Sequence, residues 1–136
     1  LCLGNAEAMD FLANHWARYC HEIDDIIDGE RADPQAIIGT FARAIYVYTH
    51  PFFLKHMIEL RAIALVVTSL YAQSVRWEKS EKGWQRQWAD HHRHVSNLMV
   101  SKVAEICGGY EHEQAVVPEL HEYAYHEHHD LEGNAN

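Results

Sequence analysis

"DPQAIIGTFARAIYVYTHPFF", residues 33–53, decides the fold class. Asp33 is a short acceptor side chain suited to capping a helix, and Pro34 sits at the first helical position, where its missing N–H costs nothing. Pro51 then breaks or kinks the chain, because a proline ring inside a helix removes one hydrogen bond and clashes with the preceding turn. The alternation of apolar and polar residues that marks a half-buried strand is almost absent here and elsewhere, so the whole chain reads as helical.

Working outward, a first helix should run from about residue 6 to Gly29, which stops it. A third follows Pro51 from about 52 to 77, and Ser80 to Gly83 makes a turn. A fourth should run from about 84 to 107, until the Gly108–Gly109 pair ends it. A last, His-rich helix follows Pro118. The expected product is one all-α domain over residues 1–136, an antiparallel bundle of four long helices plus a C-terminal helical tail.

The chain has a formal charge of −9, which excludes the basic stripe expected of a nucleic-acid surface and suits a protein that collects divalent cations. Its 48% hydrophobic and 23% charged residues describe an ordinary globular chain. Cys2, Cys20 and Cys107 are odd in number and far apart, which points to a reducing, cytoplasmic setting. The start, "LCLGNAEAMD", lacks the basic region and long apolar run of a signal peptide. The most apolar stretch, "AIALVVTSLYA" (62–72), is too short to span a bilayer, so no transmembrane segment is expected and a buried central helix is.

"HEIDDIIDGE" (21–30) carries the chemistry. Asp24, Asp25 and Asp28 form a DDxxD pattern; Asn14, Arg18, His21, Asp25 and Asp28 share one helical stripe. Carboxylates that close are either solvated or gathered around a cation. On the expected fourth helix, Asp90, His94, Asn97, Ser101 and Glu105 make a second continuous stripe. Magnesium takes oxygen ligands in octahedral geometry and keeps substrate phosphates in its shell. Two such stripes facing each other would hold magnesium and a small-molecule diphosphate ligand.

At these residues the chain resembles class I isoprenoid and terpene synthases. "DDIID" (24–28) is similar to their aspartate-rich motif, and "NLMVSKVAE" (97–105) to their Asn, Ser and Glu motif, in the same order along the chain. The resemblance covers about residues 10–106. It implies an all-helical fold in which Asp24, Asp25, Asp28, Asn97, Ser101 and Glu105 bind Mg2+ and hold the diphosphate of an allylic isoprenoid. Metal then stabilises the leaving group inside a water-excluding, aromatic-lined pocket. Arg18, His21, Arg93 and His94 are the expected contacts to the diphosphate. With only one DDxxD, a chain-elongating prenyltransferase is disfavoured.

Two rival classes share the acidic helical logic. An all-α nucleoside triphosphate pyrophosphatase would use Glu22 with Asp25 and Glu78 with Glu81. A non-catalytic metal-binding bundle needs no turnover. A ferritin-like di-iron site fares worse, because no Glu has a His three residues on. In the tail, His121 and Glu122 begin an HExxH-like run. The next histidine, His126, comes five residues after His121, which on an α-helix is about 140° away. Glu122 with His126, or His126 with His129, remains a possible transition-metal pair. Aromatic side chains are expected mostly in the core, with Phe41, Tyr48 and Phe52 pointing into the bundle. The short chain and apolar third helix point to a homodimer.

Overall fold

The computed structural model describes the backbone of residues 1–131 and the side chains of residues 1–125. It is 82% helical and holds no strand among the described residues, so the all-α reading stands. The backbone falls into two compact units, Cys2–Leu60 and the stretch from Arg61 onward together with Leu1.

In the first unit the chain opens with a helix, α1 (Ala6–Asp10), capped by the Asn5 side chain, which accepts a bond from the Ala8 N–H at 3.0 Å. The helix then widens into a π-turn, Phe11–Trp16, before resuming as α2 (Ala17–Ile27). Gly29, at φ +80°, takes the left-handed conformation that ends it, as the sequence requires. Helix α3 (Pro34–Tyr48) starts as expected, with the Asp33 carboxylate accepting from the Ala36 N–H at 2.9 Å. Pro51 does break the chain. A single turn, α4 (Pro51–Lys55), follows, and the helix breaks again at His56 before α5 (Met57–Trp77). The expected third helix is therefore two.

The core of this unit is aromatic. Phe11, Trp16, Phe52 and Phe53 are almost wholly buried. Phe11 lies 5.8 Å from Phe52, 6.1 Å from Phe53 and 6.5 Å from Trp16, ring centre to ring centre. Offset and tilted ring pairs at these distances each add about 1 kcal/mol beyond their buried area. Phe11 and Trp16 are five residues apart, a spacing that only the π-turn puts on one face. Of the expected inward aromatics, Phe52 is buried and Tyr48 is half-buried against Tyr19 and Phe53. Phe41 corrects the expectation: it is 66% exposed.

Helix α5 begins in the first unit and runs on into the second, and it buries Leu60, Ala64, Val67 and Ser74, one stripe at helical spacing. It is not the buried central helix expected, since only 22% of its most apolar window is buried. By length and composition it is long and apolar enough to cross a membrane, as core helices of water-soluble proteins also are. Helix α6 (Gly83–His92) ends at a set of turns, and α7 (Asn97–Leu131) starts beyond them. The expected fourth helix is broken at residues 93–96. Gly109 (φ 87°, ψ 178°) leaves the helical conformation and interrupts α7 where the Gly pair was expected to stop it, and a second helical stretch continues from there through Pro118. Trp84 and Trp88 are about half exposed.

Candidate metal centre

The π-turn creates a site that the sequence pattern hides. In an α-helix, residues five apart point about 140° from one another. A π-turn closes i→i+5 hydrogen bonds, here from the Ala17 N–H to the Leu12 carbonyl, and so returns to the same face after five residues. Asp10, at the end of α1, and His15, inside the turn, are thereby aligned. His50, forty residues on, enters from the α3–α4 junction.

Asp10 joins the group. Its Oδ1 accepts from Asn14 Nδ2 at 2.7 Å, and its Oδ2 lies 2.8 Å from His50 Nε2 and 3.4 Å from His15 Nε2. The Asn14 amide first, and His50 next, hold the Asp10 carboxyl below its usual range. His50 is 7% exposed and caps α4: the Phe52 N–H donates to its Nδ1 at 3.1 Å. A backbone N–H can only donate, so Nδ1 carries no proton and Nε2–H donates to Asp10. The His15 ring packs 4.8 Å from the His50 ring, and its Nδ1 is a buried atom with no hydrogen-bond partner. Phe11 closes the site from below, 5.4 Å from His50.

One oxygen and two nitrogen donors of Asp10, His15 and His50 therefore lie within 4.8 Å of one another. Ligands in a tetrahedral zinc site, at about 2.0–2.1 Å from the ion, stand about 3.3 Å apart. The Asp10–His15 separation of 3.4 Å already fits, and the 2.8 Å Asp10–His50 hydrogen bond has to open by about half an ångström. Imidazole nitrogens select zinc-class ions over magnesium. Asp10, with 47% of its side chain exposed, leaves the site open to an arriving ion.

None of these three residues stands out in the sequence. A five-residue spacing reads as opposite faces, and His50 reads as the residue before a break. The one local signal is that Phe11 and Trp16 repeat the same five-residue spacing beside Asp10 and His15.

Asp24 and Asp25 are half-buried on α2, and Asp28 is exposed at its C-cap. Burial, with Asp24 adding its charge, pushes the Cys20 thiol up to about 12. Arg18 and His21 are exposed on α2, and Glu22 is tied to Arg43 at 3.2 Å. In the other unit Asn97, Ser101 and Glu105 follow one another along α7, Ser101 buried and Glu105 bonded to Lys102 at 2.8 Å. The second continuous stripe does not form as expected. Asp90 belongs to α6 and His94 to the turns after it, because the helix breaks between them and Asn97. Arg93 is bonded to Glu78 at 2.6 Å and stacked 5.4 Å over Tyr71. The tail histidines His126 and His129 lie outside the residues whose side chains are described.

Comparisons with models of protein families, with curated proteins and with solved structures found no match.

Proposed function

We propose that this chain is a helical metal-binding protein whose centre, Asp10, His15 and His50, takes a divalent ion of the zinc class. The observation that carries this is the convergence of two imidazoles and a carboxylate within 4.8 Å, assembled by a π-turn and a helix cap. π-turns inside helices occur frequently at functional sites. The open side of Asp10 leaves room for water as a fourth ligand, and the Asn14 amide on the second carboxylate oxygen orients the first. Metal competes with the Asp10–His50 hydrogen bond, because Nε2 cannot donate to Asp10 and bind an ion at once. Calorimetric titration of the full chain with zinc tests the reading, with cobalt absorption spectra reporting the ligand geometry. Wild type should bind one ion, and His15→Ala should lose it. Zinc binding that is unchanged in His15→Ala would sink the assignment.

A second reading rests on the two motifs. In it, Asp24, Asp25 and Asp28 with Asn97, Ser101 and Glu105 bind Mg2+ and the diphosphate of an allylic isoprenoid within an antiparallel bundle. Its support is that Asn97, Ser101 and Glu105 lie on one regular helical stretch, where four-residue steps keep side chains on one face, and that Asp24 and Asp25 lie on α2 with Asp28 at its C-cap. The pyrophosphatase alternative has less, since Arg43 and Arg93 already pair with Glu22 and Glu78. Calorimetry with farnesyl diphosphate and magnesium, against deoxynucleoside triphosphates, separates the two. If Asp24→Asn with Asp28→Asn leaves farnesyl diphosphate binding intact, the aspartates are a solvated face.

A further inference from the structure

Helix α3 is packed the wrong way round for a helix of an isolated domain. Its mean composition is strongly apolar, yet Val47 is its one buried residue. Ile38, Phe41 and Ile45, spaced by three and four residues along one face, are 57%, 66% and 65% exposed. The side turned inward carries smaller or polar groups instead, Ala36, Thr40 and Arg43, with Arg43 bonded to Glu22. Arg43 is also the helix's one charged residue, so the outer face is free of charge on a chain of net charge −9.

We propose that this face binds the same face of a second copy of the chain, the two α3 helices running antiparallel about a twofold axis. Area supports this occupant. At roughly 150–250 Å2 for a large side chain, the three stripe residues with Ile37 and Tyr46 beside them expose on the order of 500 Å2. A standard interface buries about 800 Å2 per partner, of which a little over half, about 450 Å2, is apolar. The pattern is also self-complementary, as a twofold contact requires. With the axis near Phe41 and Ala42, Ile38 meets the partner's Ile45 twice, and each Phe41 ring covers the partner's Ala42. A lipid surface fits less well, because interfacial helices border their apolar face with lysine and arginine.

Sedimentation equilibrium of the full chain from about 5 to 500 µM tests this. The wild type should pass from monomer to dimer, and Phe41→Glu should stay monomeric at least tenfold higher in concentration, with an unchanged helical circular dichroism spectrum. Ile38→Glu and Ile45→Lys chains should each be monomeric alone and pair when mixed, because antiparallel register sets position 38 against position 45. A wild type that stays monomeric throughout overturns the proposal, as does a dimer indifferent to Phe41→Glu. So does capture by zwitterionic vesicles that Phe41→Glu abolishes, which would make the occupant a membrane.

Discussion

His50 and His15 sit in the same cluster but should differ sharply in what they do for stability. His50→Ala removes three things. The first is the acceptor for the Phe52 N–H, whose residue is 1% exposed; losing such a cap costs about 1 kcal/mol. The second is the 2.8 Å bond to Asp10, worth about 1 kcal/mol net. The third is ring packing against Phe11 and His15, whose loss leaves a cavity worth about another 1 kcal/mol. The expected total is about 3 kcal/mol, or a fall in Tm of about 10–15 °C for a chain of this size. His15→Ala should cost under about 1 kcal/mol. Its 3.4 Å approach to Asp10 is longer than a good hydrogen bond, and its buried Nδ1 gains nothing from folding. Urea denaturation in the presence of a chelator, followed by circular dichroism, measures both without metal. Equal losses in the two variants, or the reverse order, would refute the tautomer and capping argument for His50.

Zinc should expose the Phe52 amide to hydrogen exchange, because an Nε2-bound imidazole carries its proton on Nδ1 and can no longer accept from it; protection unchanged at zinc saturation would place the ion elsewhere. Asp10, held below the usual carboxylate value of 3.8, contributes stability that is present above that pH and lost as pH falls through its lowered folded value. Asp10→Asn should therefore flatten acid unfolding below about pH 4, and an identical acid limb in Tm against pH would remove that role. With its thiol pushed up to about 12, Cys20 should alkylate roughly a thousandfold more slowly at pH 8 than a free cysteine, read by mass spectrometry of the native chain. Gly109→Ala meets no atom within 4 Å but forces a side chain onto φ 87°, ψ 178°. A loss of about 1–3 kcal/mol in chemical denaturation is expected, and none would mean that α7 can straighten there.

Much of the helical layout was legible because its signals are local. Asp33 and Pro34 start α3, Gly29 ends α2 and Pro51 breaks the chain, each through the backbone of its own few residues. The structure departs from the sequence pattern where two local preferences are close. Nothing in "FFLKHMIEL" forbids a continuous helix across His56, nor in "DHHRHVSN" across Arg93 to Ser96, yet both break. Those breaks decide which polar residues share a face, and the second removes Asp90 and His94 from the stripe that Asn97 begins.

Sequence alone determined the helical class, the caps and the acidic charge, since all three follow from residue type and near neighbours. Tertiary structure alone decided the Asp10–His15–His50 cluster and the outward face of α3. Packing Phe11 and Trp16 into one core requires the π-turn, which rotates His15 onto Asp10. The cap of α4 then aims His50 at the same carboxylate from forty residues away. Likewise, periodicity marks a stripe on α3, but whether that stripe turns inward depends on what the neighbouring helix offers. Here Glu22 draws Arg43 inward, and Ile38, Phe41 and Ile45 are left on the surface.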